Sequence, residues 1–173
     1  IMAPLAIMHG GNQEQKNNYL TKMSENSMRI GVGFSEYIGA RDNANISIND
    51  NKISGRALFV IDAKDASHLM LSDKNGMIGI VESSSSGIEI TELVAVDKTR
   101  NFLEVQLKDV DIDILELTST SKEAIDKSID AGRIILAADS LGASQALIDK
   151  AVEYSKERKQ FNRVIGSFQA VKH

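Results

Sequence analysis

The hydrophobic pattern of this 173-residue chain changes from a strand period to a helix period near residue 121, and this change constrains the fold most. Before it, short runs rich in Ile, Val, Leu and Phe alternate with turn residues, which predicts strands. After it, apolar residues recur every three or four positions without a proline, which predicts a helix. The runs are GVGFSE, ISIND, KISG, ALFVID, HLMLS, MIGIVE, IEITEL and NFLEVQLKDV.

Turn chemistry between these runs favours a β domain. Asn75-Gly76, between HLMLS and MIGIVE, is a strong signal for a hairpin because both residues adopt positive φ readily. Short strands at this spacing are typical of an antiparallel β-barrel or sandwich, which we place over residues 30–117. With helices on either side, the predicted fold class is α+β.

Helical patterns flank the β region. Asn12 precedes a turn of acidic and amide side chains, which predicts an N-cap and a helix from about Asn12 to Ser24. The second helix, from Lys122 to Lys159, would extend roughly 57 Å. It is too long to pack only on a small barrel, so its apolar seam predicts additional helices or another subunit. The seam contains Ile134, Ala138, Leu141, Ile148 and Val152, together with the polar Gln145.

Composition excludes several classes of function. The net charge of −4 argues against a nucleic-acid partner, which requires clustered Lys and Arg. No apolar run approaches the roughly 20 residues of a membrane span. The chain has no cysteine, which suits a reducing compartment, and we expect a cytoplasmic location. His9, His68 and His173 are scattered, so no metal site is predicted.

The two ends of the sequence suggest a piece of a longer protein. The apolar start IMAPLAIMHGG has neither a basic segment nor a cleavage site, so we do not expect a signal peptide. A helical pattern resumes just before His173. We therefore expect truncation at both ends.

The closing segment YSKERKQFNRVIGSFQAVKH allows two interpretations. Lys156 and Lys159 can complement the dipole at a helix C-terminus, which makes the segment a packed connector. Alternatively, Arg158 offers a planar fork for phosphate oxygens, and Gln160 and Gln169 supply amides that can be oriented toward a ligand. The spacing alone leaves both open.

The segment AVEYSKERKQFNRVIGSFQAVKH closely resembles the acyl-CoA dehydrogenase family, in which an ERxxFG-x-x-I-x-x-FQ motif closes the first long helix of the C-terminal domain. Upstream, GGNQEQKNNYLTKM, GVGFSEYIGARD and VDKTRNFLEVQLKDVDI are similar to successive parts of the same family. The resemblance covers essentially the whole chain. It implies the end of an N-terminal helical domain (1–28), a β domain (29–118) and the start of a C-terminal helical domain (119–173).

The resemblance implies a flavoprotein oxidoreductase that removes hydrogens from the α and β carbons of an acyl-CoA thioester and passes hydride to FAD. It also implies fatty acid or sterol side-chain catabolism, an electron-transfer flavoprotein or similar acceptor, and a homo- or hetero-oligomer arranged as a dimer of dimers. Asp130 and Arg133 match acyl-CoA contacts. In the family, four residues reach the pyrophosphate and adenine side of a neighbouring subunit's FAD. Their positions correspond to Arg158, Gln160, Phe161 and Gln169.

The flavin-facing strand departs from the family pattern. Where the family commonly has Leu-Thr-Glu-Pro, this chain has FSEY, from Phe34 to Tyr37. Where the family has Gly-Ser-Asp, this chain has Ala-Arg-Asp, centred on Arg41. An arginine can still pair with phosphate. The family's Trp-Ile-Thr, which packs on the flavin, aligns with Leu58 to Val60. Val60 has no hydrogen-bond donor for a flavin.

The reaction requires a general base near the substrate α carbon. In most members it lies beyond the position of His173, and in others at the position of Gly132, which cannot serve. No catalytic residue is therefore assigned. Three hypotheses remain: an acyl-CoA dehydrogenase whose base lies outside this chain, a subunit of a heteromeric dehydrogenase with a degenerate flavin face, and an assembly module without a cofactor.

Overall fold

The computed structural model describes residues 1–39, 43–119 and 122–173. Within these ranges the chain forms two compact units, residues 1–131 and 132–173. The first contains two short helices, a sheet and the beginning of a long helix, and the second contains the remainder of that helix and a small hairpin. The α+β class predicted from the sequence is confirmed.

Two helices open the chain, and only the second was expected from the sequence. Helix α1 (Met2–Gly10) has no side-chain cap, and its buried apolar residues hold it against the core. Helix α2 (Gln13–Ser24) begins as predicted. The Asn12 side chain accepts a hydrogen bond from the Gln15 amide at 2.8 Å, and Gln15 Oε1 accepts from the Asn12 amide at 3.1 Å, which together form a capping box.

One mixed sheet organises the first unit. Its bounds are β1 (Ile30–Gly33), β2 (Ser47–Asn49), β3 (Lys52–Ile61), β4 (His68–Ser72), β5 (Ile78–Glu82), β6 (Ile88–Leu93), β7 (Phe102–Asp111) and β8 (Asp113–Ile114). The strands pair in the order β6–β7–β3–β1–β4–β5–β8, with β2 added to β3. Among the described residues, the end strands β6 and β8 do not pair with each other, so the sheet is open and fits a sandwich, not a closed barrel.

Two features of the sheet differ from the expectation. β1 and β4 run parallel, with Val32 opposite Met70, whereas a wholly antiparallel arrangement was predicted. The runs KISG and ALFVID form the single strand β3, because Gly55 lets the backbone continue at φ +118 where most residues would break it. Both differences depend on which distant strand lies alongside, and local turn signals do not contain that information.

The predicted Asn75-Gly76 hairpin is confirmed. It joins β4 and β5 in antiparallel pairing, and Gly76 has φ +88. The buried Asp73 carboxylate organises the turn, because its Oδ1 atom accepts hydrogen bonds from the amides of Asn75 and Met77, both at 2.9 Å.

Two apolar clusters form the core of the first unit. One packs α1, α2 and the start of the long helix against the sheet and includes Ile7, Phe34, Met70, Leu115 and Ile125. The other lies between strands and includes Ile53, Val60, Leu69, Val105 and Leu107.

Ser72, at the end of β4, gives a prediction about stability. Its hydroxyl is completely buried, and among the described residues it has no hydrogen-bond partner. Because a buried unpaired hydroxyl loses its hydration without compensation, we expect Ser72→Ala to raise the free energy of unfolding by about 1 kcal/mol. Urea unfolding of the full-length protein measures the change, and Ser84→Ala at an exposed position is the matched control. A destabilised Ser72→Ala variant would contradict the prediction.

Helix α3 (Glu123–Glu157) lies close to the predicted span from Lys122 to Lys159. Its apolar seam is exposed in this chain, with exposed fractions of 68% for Ile134 and 74% for Leu141. Strands β9 (Lys159–Gln160) and β10 (Arg163–Val164), a 3₁₀ turn and helix α4 (Gln169–Lys172) follow. No helix among the described residues combines the length and the apolar character that a membrane span requires.

Candidate functional site

The first group of candidate residues lies where β1 ends in a tight turn. Phe34 is buried in the first core cluster, and Ser35 is also buried. Ser35 Oγ accepts a hydrogen bond from the Leu58 amide at 3.2 Å, so the structure brings these two predicted flavin contacts together. The backbone continues as a turn, in which the Ile38 amide donates to the carbonyl of Phe34 at 3.2 Å.

A β-bulge in β3 adjoins this turn. Ala57 pairs with Val105 and Val60 pairs with Leu103, so β3 contains one extra residue between the two pairs. Within the bulge, Phe59 adopts φ +55, a conformation that is uncommon for a bulky residue. Bulges of this kind often redirect side chains next to functional sites.

The bulge changes which side chains of β3 face outward. Simple alternation from the buried Ala57 would point Val60 away from the core, as the sequence alignment assumes. Val60 is instead completely buried in the second core cluster and presents no surface to a ligand. Phe59 is 38% exposed, and Ile61 is half-buried and packs against the first core cluster, so neither residue belongs to the second cluster that contains Val60. The alignment of Trp-Ile-Thr with Leu58 to Val60 therefore does not agree with this geometry.

An aromatic pair marks the accessible side of the bulge. The rings of Phe59 and Phe102 meet edge to face, with centroids 6.4 Å apart. Sequence reasoning missed Phe59 and Ile61, because only the pairing between β3 and β7 reveals the extra residue. Arg41, the remaining predicted contact on this side, lies outside the described residues.

The second group of candidate residues lies in the second unit, on the β9–β10 hairpin and beside it. Arg158 directly follows α3, and its carbonyl accepts a hydrogen bond from the Ile165 amide at 2.8 Å. Phe161 and Asn162 form the two-residue turn with φ +53 and +60, as a type I′ hairpin requires. Asn162 occupies the glycine position of the family motif, and asparagine tolerates this left-handed conformation better than most residues.

Aromatic contacts hold this hairpin in one shape. The Arg163 guanidinium stacks over the Phe168 ring at 3.8 Å, and Phe161 meets the same ring edge to face at 6.3 Å. Gly166 lies against the end of α3, where a Cβ atom would approach the Ser155 carbonyl oxygen at 2.9 Å. The connector is therefore packed, as one interpretation of the sequence predicts, and it also displays its polar side chains.

The side chains that this segment displays suit an anionic ligand with a planar base. Phe161 is 88% exposed at the tip of the hairpin, and Arg158, Gln160 and Gln169 are exposed beside it. A guanidinium can donate two parallel hydrogen bonds to phosphate oxygens, and an exposed aromatic ring can stack on a base. These residue types could hold the phosphates and the base of a nucleotide.

The two remaining candidate residues lie on α3. Asp130 and Arg133 are exposed on α3. Two surface clefts of the first unit, of about 330 and 460 Å³, are lined by none of the candidate residues. Among the described residues, no group of three His, Cys, Asp or Glu side chains is placed to hold a metal ion.

Comparison with known proteins agrees with these observations. The family model for the acyl-CoA dehydrogenase C-terminal domain matches residues 123–173. The chain is 29% identical over 185 positions to a probable acyl-CoA dehydrogenase of Bacillus subtilis, covering 95% of the chain and 49% of that protein. It is 32% identical over 117 positions to a subunit of the caffeyl-CoA reductase–Etf complex of Acetobacterium woodii, covering 68% of the chain and 27% of that protein.

A solved structure supports the fold. The butyryl-CoA dehydrogenase of Megasphaera elsdenii matches with a TM-score of 0.80 at 22% identity, over 99% of this chain and 50% of that chain. The chain spans about half the length of the curated relatives that match nearly all of it, 48% and 49% in two cases. Motif, fold and relatives together show that this chain belongs to the acyl-CoA dehydrogenase family.

Proposed function

We propose that this chain is part of an FAD-dependent acyl-CoA dehydrogenase, an oxidoreductase that forms a double bond between the α and β carbons of an acyl-CoA thioester. The observation that carries the proposal is the hairpin after α3, which lies in the segment that matches the family. Edge-to-face contact between Phe161 and Phe168 holds its turn, and Arg158, Gln160 and Phe161 are exposed to solvent.

In this proposal the hairpin binds the nucleotide portion of FAD. Arg158 pairs with pyrophosphate oxygens, and the amides of Gln160 and Gln169 orient the pyrophosphate. Phe161 covers the adenine side. By the family pattern, this FAD belongs to a neighbouring subunit of a dimer. Bound FAD supplies the hydride acceptor for the β-carbon hydrogen.

On the flavin side, the turn after β1 and the bulge of β3 supply the contacts. Phe34 and Ser35 shape the turn, and Phe59 and Ile61 take the place first assigned to Val60. Arg41 is retained as a phosphate partner on the basis of its sequence position. Leu58 acts indirectly in this proposal. Its side chain is buried, and its amide donates a hydrogen bond to Ser35 Oγ and thereby holds the turn in place.

The substrate side of the proposal rests on α3. Asp130 and Arg133 contact the acyl-CoA, with the Arg133 cation suited to its phosphates. Gly132 occupies the alternative family position for the general base on α3 and cannot serve, so the proposal assigns no catalytic residue. We further propose a cytoplasmic location, an electron-transfer flavoprotein as electron acceptor and a dimer-of-dimers assembly.

One observation favours a second candidate, a subunit of a heteromeric dehydrogenase that does not bind its own flavin. Neither Phe59, Val60 nor Ile61 carries a side-chain donor for the reactive edge of a flavin. The hairpin nevertheless keeps the nucleotide-binding residue types. Such a subunit would lend Arg158, Gln160 and Gln169 to the FAD of a different partner.

The visible flavin spectrum of the full-length protein separates these functions. The protein is purified alone and also after co-expression with a second dehydrogenase subunit that co-purifies with it. Flavin in the protein alone supports the first candidate, and flavin found only in the mixed complex supports the second. Absence of flavin from both preparations rules out both candidates.

Arg158→Ala tests the nucleotide contact. We expect FAD to bind more weakly by roughly 1–3 kcal/mol, about fivefold to 150-fold in dissociation constant, because a pyrophosphate charge loses its paired donor. Equilibrium dialysis of FAD against the flavin-binding assembly measures the change. Lys156→Ala, which removes an exposed cation two residues earlier, is the control and should change the affinity by less than about twofold. Equal effects of the two variants would contradict the assignment.

A further inference from the structure

Among the described residues, two side-chain hydrogen bonds attach the turn at residues 34–39 to the rest of the first unit. At its beginning, Ser35 Oγ accepts the hydrogen bond from the Leu58 amide. At its middle, Tyr37 Oη donates to Asp126 Oδ1 at 2.6 Å. Asp126 lies in the first turn of α3, so the second attachment joins the flavin-side turn to a helix 89 residues away in sequence.

The ring of Tyr37 is also fixed by its surroundings. A Cβ atom placed on Gly76, in the β4–β5 turn, would lie 3.2 Å from the Tyr37 ring and 3.3 Å from Ile125. Lys122 Nζ lies 5.8 Å from the centre of the ring. The hydrogen bond to Asp126 raises the pKa of the Tyr37 phenol, so the hydroxyl remains a donor across the neutral range.

We propose that Tyr37 is a positioning residue, whose hydrogen bond to Asp126 fixes the turn at residues 34–39 against α3. The family pattern has a proline at this position, which stiffens the backbone by fixing φ. Tyrosine has no such restriction, and here a contact between side chains supplies the rigidity.

The position of Asp126 on α3 extends the consequence to the substrate. Asp126 and Asp130 are four residues apart, so they occupy the same face of the helix on successive turns. The Tyr37 contact therefore couples the turn that carries Ser35 to the helix segment that carries a proposed acyl-CoA contact. This coupling rests on the proposed function. The hydrogen bond between Tyr37 and Asp126, here called the tether, does not.

Hydrogen exchange in the full-length protein tests the tether without any ligand. The amides of Ile38 and Gly39 report on the turn, because they donate to the carbonyls of Phe34 and Glu36. We expect Tyr37→Phe and Asp126→Ala each to speed their exchange about threefold to tenfold, and the double variant to add nothing further. Unchanged exchange in either single variant, or effects that multiply in the double variant, would overturn the tether.

FAD affinity tests the positioning role. We expect Tyr37→Phe to weaken FAD binding about threefold to tenfold, and Tyr154→Phe, the same change at an exposed site on α3, to leave it unaltered. Faster exchange with unaltered FAD affinity would overturn the positioning role. If the unmodified protein bound no FAD in any assembly, the proposed function would fail, and the exchange measurements would still decide whether Tyr37 fixes the turn.

Discussion

Gly55→Ala should destabilise the first unit by roughly 3–5 kcal/mol, a large share of the stability of an ordinary domain. Two costs combine. Gly55 has φ +118, which L side chains rarely adopt, and a Cβ atom there would lie 2.0 Å from the carbonyl oxygen of Asn45. The obstacle is backbone, so no side chain can rotate away to relieve it.

Thermal unfolding of the full-length protein, combined with hydrogen exchange at β3 and β7, measures this change. Gly142→Ala is the matched control, because Gly142 lies within α3 and an added Cβ atom there meets nothing within 4 Å. Alanine is the better helix former by about 1 kcal/mol, so this variant should be neutral or more stable. Similar unfolding temperatures for the two variants would disprove the strain assigned to Gly55.

Asp113→Ala should lower the free energy of unfolding by about 2–4 kcal/mol, because one carboxylate serves two buried donors of α2. Asp113 Oδ2 accepts from Tyr19 Oη at 2.5 Å, and Oδ1 accepts from Gln15 Nε2 at 2.7 Å. Both donor residues are less than one-tenth exposed. Without the carboxylate, the Tyr19 hydroxyl would lose its acceptor, whereas Gln15 would keep the Ile114 carbonyl.

Asp111→Ala is the control for this change. Asp111 pairs with Lys52 at 2.7 Å, but its side chain is 90% exposed, so its removal should cost less than about 1 kcal/mol. Urea unfolding compares the two variants. Equal losses of stability would show that the hydrogen bonds from α2 to Asp113 stabilise the fold no more than the exposed ion pair of Asp111 does.

The same contact gives a dependence on pH. Burial, followed by the hydrogen bond to Asp113, raises the pKa of Tyr19 above its ordinary value of 10.0. The contribution to stability is therefore fully present below pH 10 and is lost as the pH rises through the higher folded-state pKa. Asp113→Ala should consequently show a smaller loss of stability in this alkaline range, and a parallel decline in both proteins would contradict the assignment.

Local chemistry alone was sufficient for several elements. Asn12 and Gln15 form the predicted cap, Asn75-Gly76 forms the predicted hairpin, and the proline-free pattern gives α3 nearly its full observed length. The candidate nucleotide contacts Arg158, Gln160, Phe161 and Gln169 were identified through the resemblance of their segment to a family motif, and their role is a proposal. Each of these features depends on residues close together in the chain.

Tertiary structure decided which β3 side chains face outward and which strands are neighbours. Alternation in the sequence points Val60 outward, but the bulge inserts one residue, which buries Val60 in the second core cluster and leaves Phe59 exposed. The parallel pairing of β1 with β4 likewise joins segments that no local turn connects. The sequence by itself determined caps, turns, helix length and family, because those depend on neighbouring residues. Register and facing depend on contacts between distant strands, and only the folded chain contains them.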